Sequence, residues 1–167
     1  MSTDDPFADL VEANRVYAQD FPHAGFDGIA RAGVAIVTCM DSRIDPLKML
    51  GLEHGDAKIF RNPGGRVTDA ALEALVLAVH LLGVSRVVVA PHTRCAMAAH
   101  TADDLRHLIS ELSSQDAWWQ QFNVVPDQRA ALVEDVRRVT SHPLITGRVA
   151  VGGFIYDVDT GLLAREV

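Results

Sequence analysis

Short apolar runs alternate with segments of helical periodicity along most of the chain. Runs rich in β-branched or aromatic residues predict buried strands, and a short apolar pair near the carboxyl end of the chain predicts an edge strand. The predicted strands are 34–38, 58–60, 86–90, 149–156 and 162–163. Because the longer strands are separated by helical segments, the order predicts an α/β fold with a mainly parallel central sheet of four to five strands flanked by helices.

Four segments repeat apolar residues at helical spacing. The predicted helices are 6–20, 70–82, one that starts near Thr101 and one that starts at Pro126 and Asp127 and ends before Pro143. The second helix is apolar almost all round, which predicts that it is buried, with His80 as a core residue. In the last helix we expect Leu132, Val133, Val136 and Val139 to form the apolar face.

The length and charge limit the classes of function. A chain of 167 residues has the size of one domain, so we predict a single α/β domain over 1–167 with 1–20 as an N-terminal helical arm. The formal net charge of −7 disfavours a nucleic acid as partner, because proteins that bind nucleic acids need a basic surface. The acidic start lacks the features of a signal peptide, and no apolar segment is long enough to span a bilayer. We therefore expect a cytoplasmic protein without a membrane partner.

Two cysteines and one histidine follow predicted buried strands. Cys39 comes directly after one strand, and His92 and Cys95 follow another. Taken singly, such a cysteine is usually a small buried hydrophobe and such a histidine a core or surface residue. Thiolates and neutral imidazole are also the ligands that Zn2+ prefers, and three of them leave a fourth position for water. Because Asp41 and Arg43 adjoin them, we favour a zinc site over packing roles.

Four segments of this sequence resemble the β-class carbonic anhydrases. They are Cys39-x-Asp-x-Arg43, His92-x-x-Cys95, the loop 61–65 and the closing strand and turn 153–161. The resemblance extends from about Ala8 to the end of the chain and matches the short, single-domain members of the family.

The resemblance implies a role for each matching position. Cys39, His92 and Cys95 would be the zinc ligands, while Asp41 and Arg43 would form a catalytic dyad. Asp41 would orient a zinc-bound hydroxide toward the carbon of the substrate, and Arg43 would hold that carboxylate. A surface salt bridge is the alternative for these two residues. The family also implies a homodimer, or an oligomer built from dimers, with the first helix packed on the partner.

Three further residues are candidates for a substrate pocket. Gly64 and Gly65 would let the backbone approach that pocket closely, although a simple turn explains them equally well. Phe60 can line the pocket or belong to the core. The remaining histidines include no residue that we can assign as a proton shuttle.

The sequence departs from the family at three positions near the ligands. Pro91 and Ala96 replace the usual glycines, and Arg94 replaces a small or acidic residue. We expect reversible hydration of carbon dioxide to bicarbonate and a proton by attack of zinc-bound hydroxide. Two alternatives remain open: hydrolysis of carbonyl sulfide or carbon disulfide on the same scaffold, and a zinc-binding regulatory domain closed by Asp41 or blocked by Arg94.

Overall fold

A computed structural model describes residues 5–167. Its single sheet has the strand order β2-β1-β3-β4-β5, in which the first four strands are parallel and β5 runs antiparallel to β4. The strands are β1 (Val34–Cys39), β2 (Ala57–Asn62), β3 (Arg86–Ala90), β4 (Ala150–Tyr156) and β5 (Leu163–Arg165). The predicted α/β fold with a mainly parallel sheet of four to five strands is confirmed.

Within residues 5–167 five α-helices accompany the sheet, and side-chain caps define the start of three of them. The helices are α1 (Ala8–Gln19), α2 (Asp69–Leu81), α3 (Ala96–Ala99), α4 (Ala102–Ser113) and α5 (Gln128–Thr140). Thr68 caps α2, Asp127 caps α5, and Thr101 forms a capping box with Asp104 at the start of α4. Each cap satisfies backbone N–H groups that the first helical turn leaves free, which explains why the predicted starts are confirmed.

The main core lies between one face of the sheet and helices α2 and α5. It includes Val37 and Val89 from the two central strands, Leu75 from α2, and Leu132 and Val136 from α5. All six residues of β1 are buried, which agrees with its unbroken apolar run. This core fixes β1 and β3 side by side, so that their carboxyl ends share one edge of the sheet.

The predicted burial of α2 is wrong in part. Only its sheet-facing side is buried, whereas Leu77 and Leu81 are 48% and 66% exposed. His80 is also exposed, and its Nε2 lies 2.8 Å from the carbonyl oxygen of Leu144. The helix lies on the outside of the sheet, so its opposite side faces solvent. Val133 in α5 is 49% exposed for the same reason.

Helix α1 stands apart from the rest of the described chain. It has no buried residue, and its apolar side chains Leu10, Val16 and Tyr17 are 54–63% exposed. Aromatic contacts run from Tyr17 through Phe21 and His23 to His54. The first four residues of the predicted arm lie outside the described residues. Within 5–167 no helix has the length and apolarity needed to cross a membrane.

Candidate metal centre

The three predicted ligands meet at the carboxyl edge of the sheet. Cys39 is the last residue of β1, and His92 follows β3 by two residues. The parallel register pairs Thr38 with Ala90, so both strands deliver their next residues to the same place. Cys95 returns from the loop that follows. The three side chains are 0–4% exposed, and one ligand atom from each lies within 4.8 Å of the other two.

The spacing and the hydrogen bonding of these atoms fit a zinc ion. Two thiolates on one tetrahedral zinc lie about 3.8 Å apart, given zinc–sulfur bonds of about 2.3 Å. The Sγ atoms of Cys39 and Cys95 are 4.0 Å apart. In the described chain, His92 Nε2 is the one buried side-chain nitrogen or oxygen without a hydrogen-bond partner. Such an atom is costly to bury unless something binds it, and a metal ion would do so.

The tautomer of His92 is set by its other ring nitrogen. Nδ1 lies 2.8 Å from the carbonyl oxygen of Thr93, which can only accept, so Nδ1 carries the proton. The lone pair of Nε2 is then free to bind a cation. Gln128, the first residue of α5, donates to the carbonyl oxygen of His92 and holds the peptide in place.

The two thiols have unequal acidity. The hydrogen bond between the two sulfurs lowers the pKa of Cys39, and although burial opposes this effect, hydrogen bonds with His92 and with the backbone of Asp41 and Gly64 lower it further. The same neighbouring thiolate, together with burial, raises the pKa of Cys95. The shared hydrogen bond therefore favours ionisation of one sulfur before the other. Binding of a metal ion by both thiolates would displace any proton that they carry, so metal affinity should depend on pH.

The glycine loop lies directly beneath the end of β1. Gly64 and Gly65 have φ angles of 81° and 66°, which favour glycine. A Cβ atom on Gly65 would lie 2.9 Å from the backbone nitrogen of Cys39, so no side chain fits there. The close approach that we considered for this loop is thus made to the strand that carries the metal ligand. Phe60 packs against the main core, as a core residue would. A substrate-pocket role of these three residues stays a prediction.

Asp41 and Arg43 form a bidentate ion pair. Arg43 Nε and Nη2 donate to Asp41 Oδ1 and Oδ2 at 2.9 and 2.7 Å, and the Arg43 backbone N–H also donates to Oδ1. These bonds hold the pKa of Asp41 well below its usual range. Asp41 Oδ2 lies 3.7 Å from His92 Nε2, which places the carboxylate beside the metal position. The catalytic role of this pair, as opposed to that of a surface salt bridge, stays a prediction.

Arg61 was not among the predicted site residues, although it contacts the segment that carries them. Its Nε donates to the carbonyl oxygen of Cys39 at 2.9 Å, and its Nη2 donates to that of Asp41 at 2.6 Å. Arg61 pairs with Thr38 in the register between β1 and β2, one residue before the ligand. Arg61 opens the loop 61–65, one of the four segments that resemble the family, but its contacts with the ligand segment depend on the strand pairing, which that loop does not specify.

A parallel α/β sheet that presents two cysteines and one histidine at its carboxyl edge, beside an Asp–Arg pair, defines a class of zinc enzymes. A family model for carbonic anhydrase matches residues 34–163 of this chain. β-Carbonic anhydrase 1 of Mycobacterium tuberculosis is 36% identical over 134 residues, covering 78% of this chain and 79% of that protein. The chain belongs to the β-class carbonic anhydrase family, whose members depend on zinc.

Two further comparisons bear on the same family. The crystal structure of a carbonic anhydrase from Streptococcus mutans superposes with a TM-score of 0.86 at 36% identity and covers 100% of both chains. A carbon disulfide hydrolase of Acidithiobacillus thiooxidans is 30% identical over 150 residues, covering 77% of this chain and 74% of that protein. Relatives of this chain are therefore named for two different reactions, those of carbonic anhydrase and of carbon disulfide hydrolase.

Proposed function

We propose that this chain catalyses the reversible hydration of carbon dioxide to bicarbonate and a proton. The observation that carries the proposal is the convergence of Cys39, His92 and Cys95 beside a carboxylate that Arg43 holds. These three residues would hold a zinc ion, which would supply a nucleophile at neutral pH by lowering the pKa of a bound water. The substrate is small, linear and uncharged, and its electrophilic carbon can be attacked by such a nucleophile.

Asp41 and Arg43 would orient the nucleophile. Because Arg43 keeps the pKa of Asp41 low, the carboxylate stays ionised at neutral pH and can only accept a hydrogen bond. Oδ2, which lies 3.7 Å from His92 Nε2, would accept the remaining O–H of the attacking oxygen and turn its lone pair toward the carbon. Arg43 would keep that carboxylate in place through two parallel bonds. Arg43 would thus keep Asp41 both ionised and correctly placed to accept this hydrogen bond.

Hydrolysis of carbon disulfide or carbonyl sulfide is the second candidate function. The similarity to carbon disulfide hydrolases supports it, since those relatives are 25–30% identical and cover 77–81% of this chain. Both sulfur compounds are linear and have an electrophilic carbon, so the same nucleophile can attack them. We prefer carbon dioxide because the β-carbonic anhydrases match at 36% identity. A closed regulatory site is disfavoured, since Asp41 is bonded to Arg43 and lies outside the group of metal-binding atoms.

A direct comparison of substrates tests this proposal. Zinc-loaded protein would be assayed by stopped flow for carbon dioxide hydration and for hydrolysis of carbonyl sulfide and carbon disulfide. We expect the highest kcat/KM with carbon dioxide. A higher value with either sulfur substrate would overturn the choice of substrate, and one zinc per chain without any turnover would support the regulatory alternative.

Substitution of Asp41 tests its role. Asp41→Asn removes the ionised acceptor, so we expect turnover to fall by about 10²- to 10³-fold, as when one preorganised polar group is lost. The zinc content should stay at one per chain, because Asp41 is not in the ligand group. Asp45→Asn is the matched control, since this carboxylate pairs with Lys48 at 3.2 Å on the protein surface. Loss of zinc from Asp41→Asn would contradict the assignment.

We also propose the assembly and the compartment. A homodimer, or an oligomer built from dimers, is supported by α1, which has no buried residue and whose apolar side chains stay largely exposed within the described chain. A cytoplasmic location is supported by the free thiols of Cys39 and Cys95, which must stay reduced to bind a metal. The whole chain, 1–167, would then act as one domain with the arm reaching to a second copy.

A further inference from the structure

Arg94 has an unusual backbone conformation between two metal ligands. It lies between His92 and Cys95 with a φ of 55°, in the left-handed region. In the range 5–167 the only other residue besides glycine with a positive φ is Ser114, which ends helix α4, where this conformation is common. Arg94 ends no helix, so the conformation at this position needs another source of support.

Arg94 has one contact on each side of the metal loop. Its carbonyl oxygen accepts a hydrogen bond from Arg43 Nη2 at 3.2 Å. Its side-chain Nη1 lies 3.1 Å from Oδ1 of Asp159, in the turn between β4 and β5. Arg94 thus connects that turn to the guanidinium group that holds Asp41.

The turn that receives the Arg94 side chain is itself well ordered by hydrogen bonds. The carboxylate of Asp157 accepts the backbone N–H groups of Asp159 and Thr160, at 2.8 and 3.1 Å. Thr93 is bonded to the same region, since its N–H donates to the carbonyl of Tyr156 and its Oγ1 accepts from Val158. Asp159 therefore lies in a turn that hydrogen bonds hold in place. Its ion pair with Arg94, the residue after Thr93, attaches the metal loop to that turn.

We propose that Arg94 is a positioning residue for the Asp41–Arg43 pair. The ion pair with Asp159 holds the Arg94 carbonyl where Arg43 can donate to it, and this third bond keeps Arg43 on Asp41. If Arg43 is released, Asp41 is free to move, and its Oδ2 is already 3.7 Å from His92 Nε2. The carboxylate would then compete for the fourth position on the metal. The inference rests on the proposed function for the role of Asp41, and on the metal centre alone for the competition.

Three variants separate the side chain of Arg94 from its backbone. Arg94→Gly keeps the left-handed conformation accessible and removes the ion pair, while Asp159→Asn removes the pair from the other side. The reciprocal exchange, Arg94→Asp with Asp159→Arg, restores a pair of opposite sign. Arg137→Gln is the matched control, because Arg137 forms an exposed ion pair with Glu134 on helix α5.

The readout is azide binding to Co2+-substituted protein, followed in the visible spectrum, beside kcat and KM for carbon dioxide. An exchangeable fourth position binds azide, whereas one occupied by a carboxylate does not. We expect Arg94→Gly and Asp159→Asn to weaken azide binding and to lower kcat, each by about two- to fivefold, the range for an exposed ion pair. KM and metal content should change little, and the exchange variant should recover most of the loss.

Two results would overturn the proposal: azide binding unchanged in both single variants, or no recovery in the exchange variant. Both single variants alter exposed side chains, so folding should not obscure the result. If the wild-type protein binds azide but hydrates no carbon dioxide, the proposed function fails. The azide data would still decide whether Arg94 positions the pair.

Discussion

The carboxyl edge of the sheet and the N-terminal helix make opposite use of their side chains. At the edge, Cys39, His92 and Cys95 are almost fully buried, and they find one another within a single chain. In α1, Leu10 and Val16 are 63% and 60% exposed, and no residue of the helix is buried. Both regions were recognisable in the sequence. Only the metal-binding edge finds all its contacts within the described chain, whereas the apolar side of α1 stays exposed.

The difference teaches what each kind of pattern specifies. The sheet itself brings together ligands that follow two neighbouring parallel strands. The register of β1 and β3 places the carboxyl ends of these two strands side by side. An amphipathic helix specifies only that one side needs cover. It does not specify whether the cover comes from its own chain or from another. The metal centre should therefore respond to changes within one chain, and the helix to the presence of a second copy.

The largest effect is expected from removal of a metal ligand. Cys39→Ser replaces a thiolate with a hydroxyl, which is a poor zinc ligand at neutral pH. We expect most of the zinc to be lost and carbon dioxide hydration to fall by about 10³-fold or more. Zinc would be measured by mass spectrometry and activity by stopped flow. Met40→Ser, next to the ligand but 63% exposed, should keep both. A normal zinc content in Cys39→Ser would remove the basis of the comparison.

A smaller effect is expected from the support beneath the metal centre. Asp135 is 1% exposed, and Arg66 Nε and Nη2 donate to its carboxylate at 2.6 and 3.1 Å. Arg66 in turn bonds to Asn62 at the start of the glycine loop. Asp135→Asn leaves a half-buried guanidinium without its counterion, so we expect a loss of about 3 kcal/mol in the free energy of unfolding.

Urea denaturation of the zinc-loaded protein would measure this change. The neighbouring Glu134→Gln is the control, because its ion pair with Arg137 is exposed and should contribute at most about 0.5 kcal/mol. Equal losses in the two variants would show that burial does not strengthen the dependence on Asp135, and the edge would then be less self-contained than we describe.

Local patterns predicted much of this molecule, and long-range polar contacts account for what they missed. The capping box of Thr101 and Asp104 was recognisable because two residues three positions apart specify it. The ion pair of Arg66 and Asp135 was not, since its members are 69 residues apart and neither belongs to a recognisable motif. Arg61 opens the recognised loop 61–65, but its bonds to the carbonyl oxygens of Cys39 and Asp41 are long-range contacts that the loop motif does not specify.

Burial of helices was harder to predict than their positions. The apolar composition of α2 led to the prediction of a buried helix, whereas Leu81 is 66% exposed. The composition of a helix shows how much apolar surface it could bury. It does not show how many neighbouring elements the topology places against that surface. Only one side of α2 faces the sheet, so the fold determines the result. The same limit applies to α1, whose helical pattern is correct and whose cover was implied only by family resemblance.

The smallest effect within one chain is expected from α1, and it sharpens the contrast with the metal centre. Leu10→Glu removes no buried contact of its own chain, so zinc content should stay constant and the unfolding free energy of dilute protein should change by at most about 0.5 kcal/mol. If α1 packs on a second copy, the dissociation constant of the dimer should rise by about tenfold or more, as for a buried interface residue.

Sedimentation velocity over a dilution series would measure this dissociation constant, with Gln19→Glu on the same helix as control. A large destabilisation of the dilute monomer would mean that α1 packs on its own chain in solution, and the two regions would then follow the same rule.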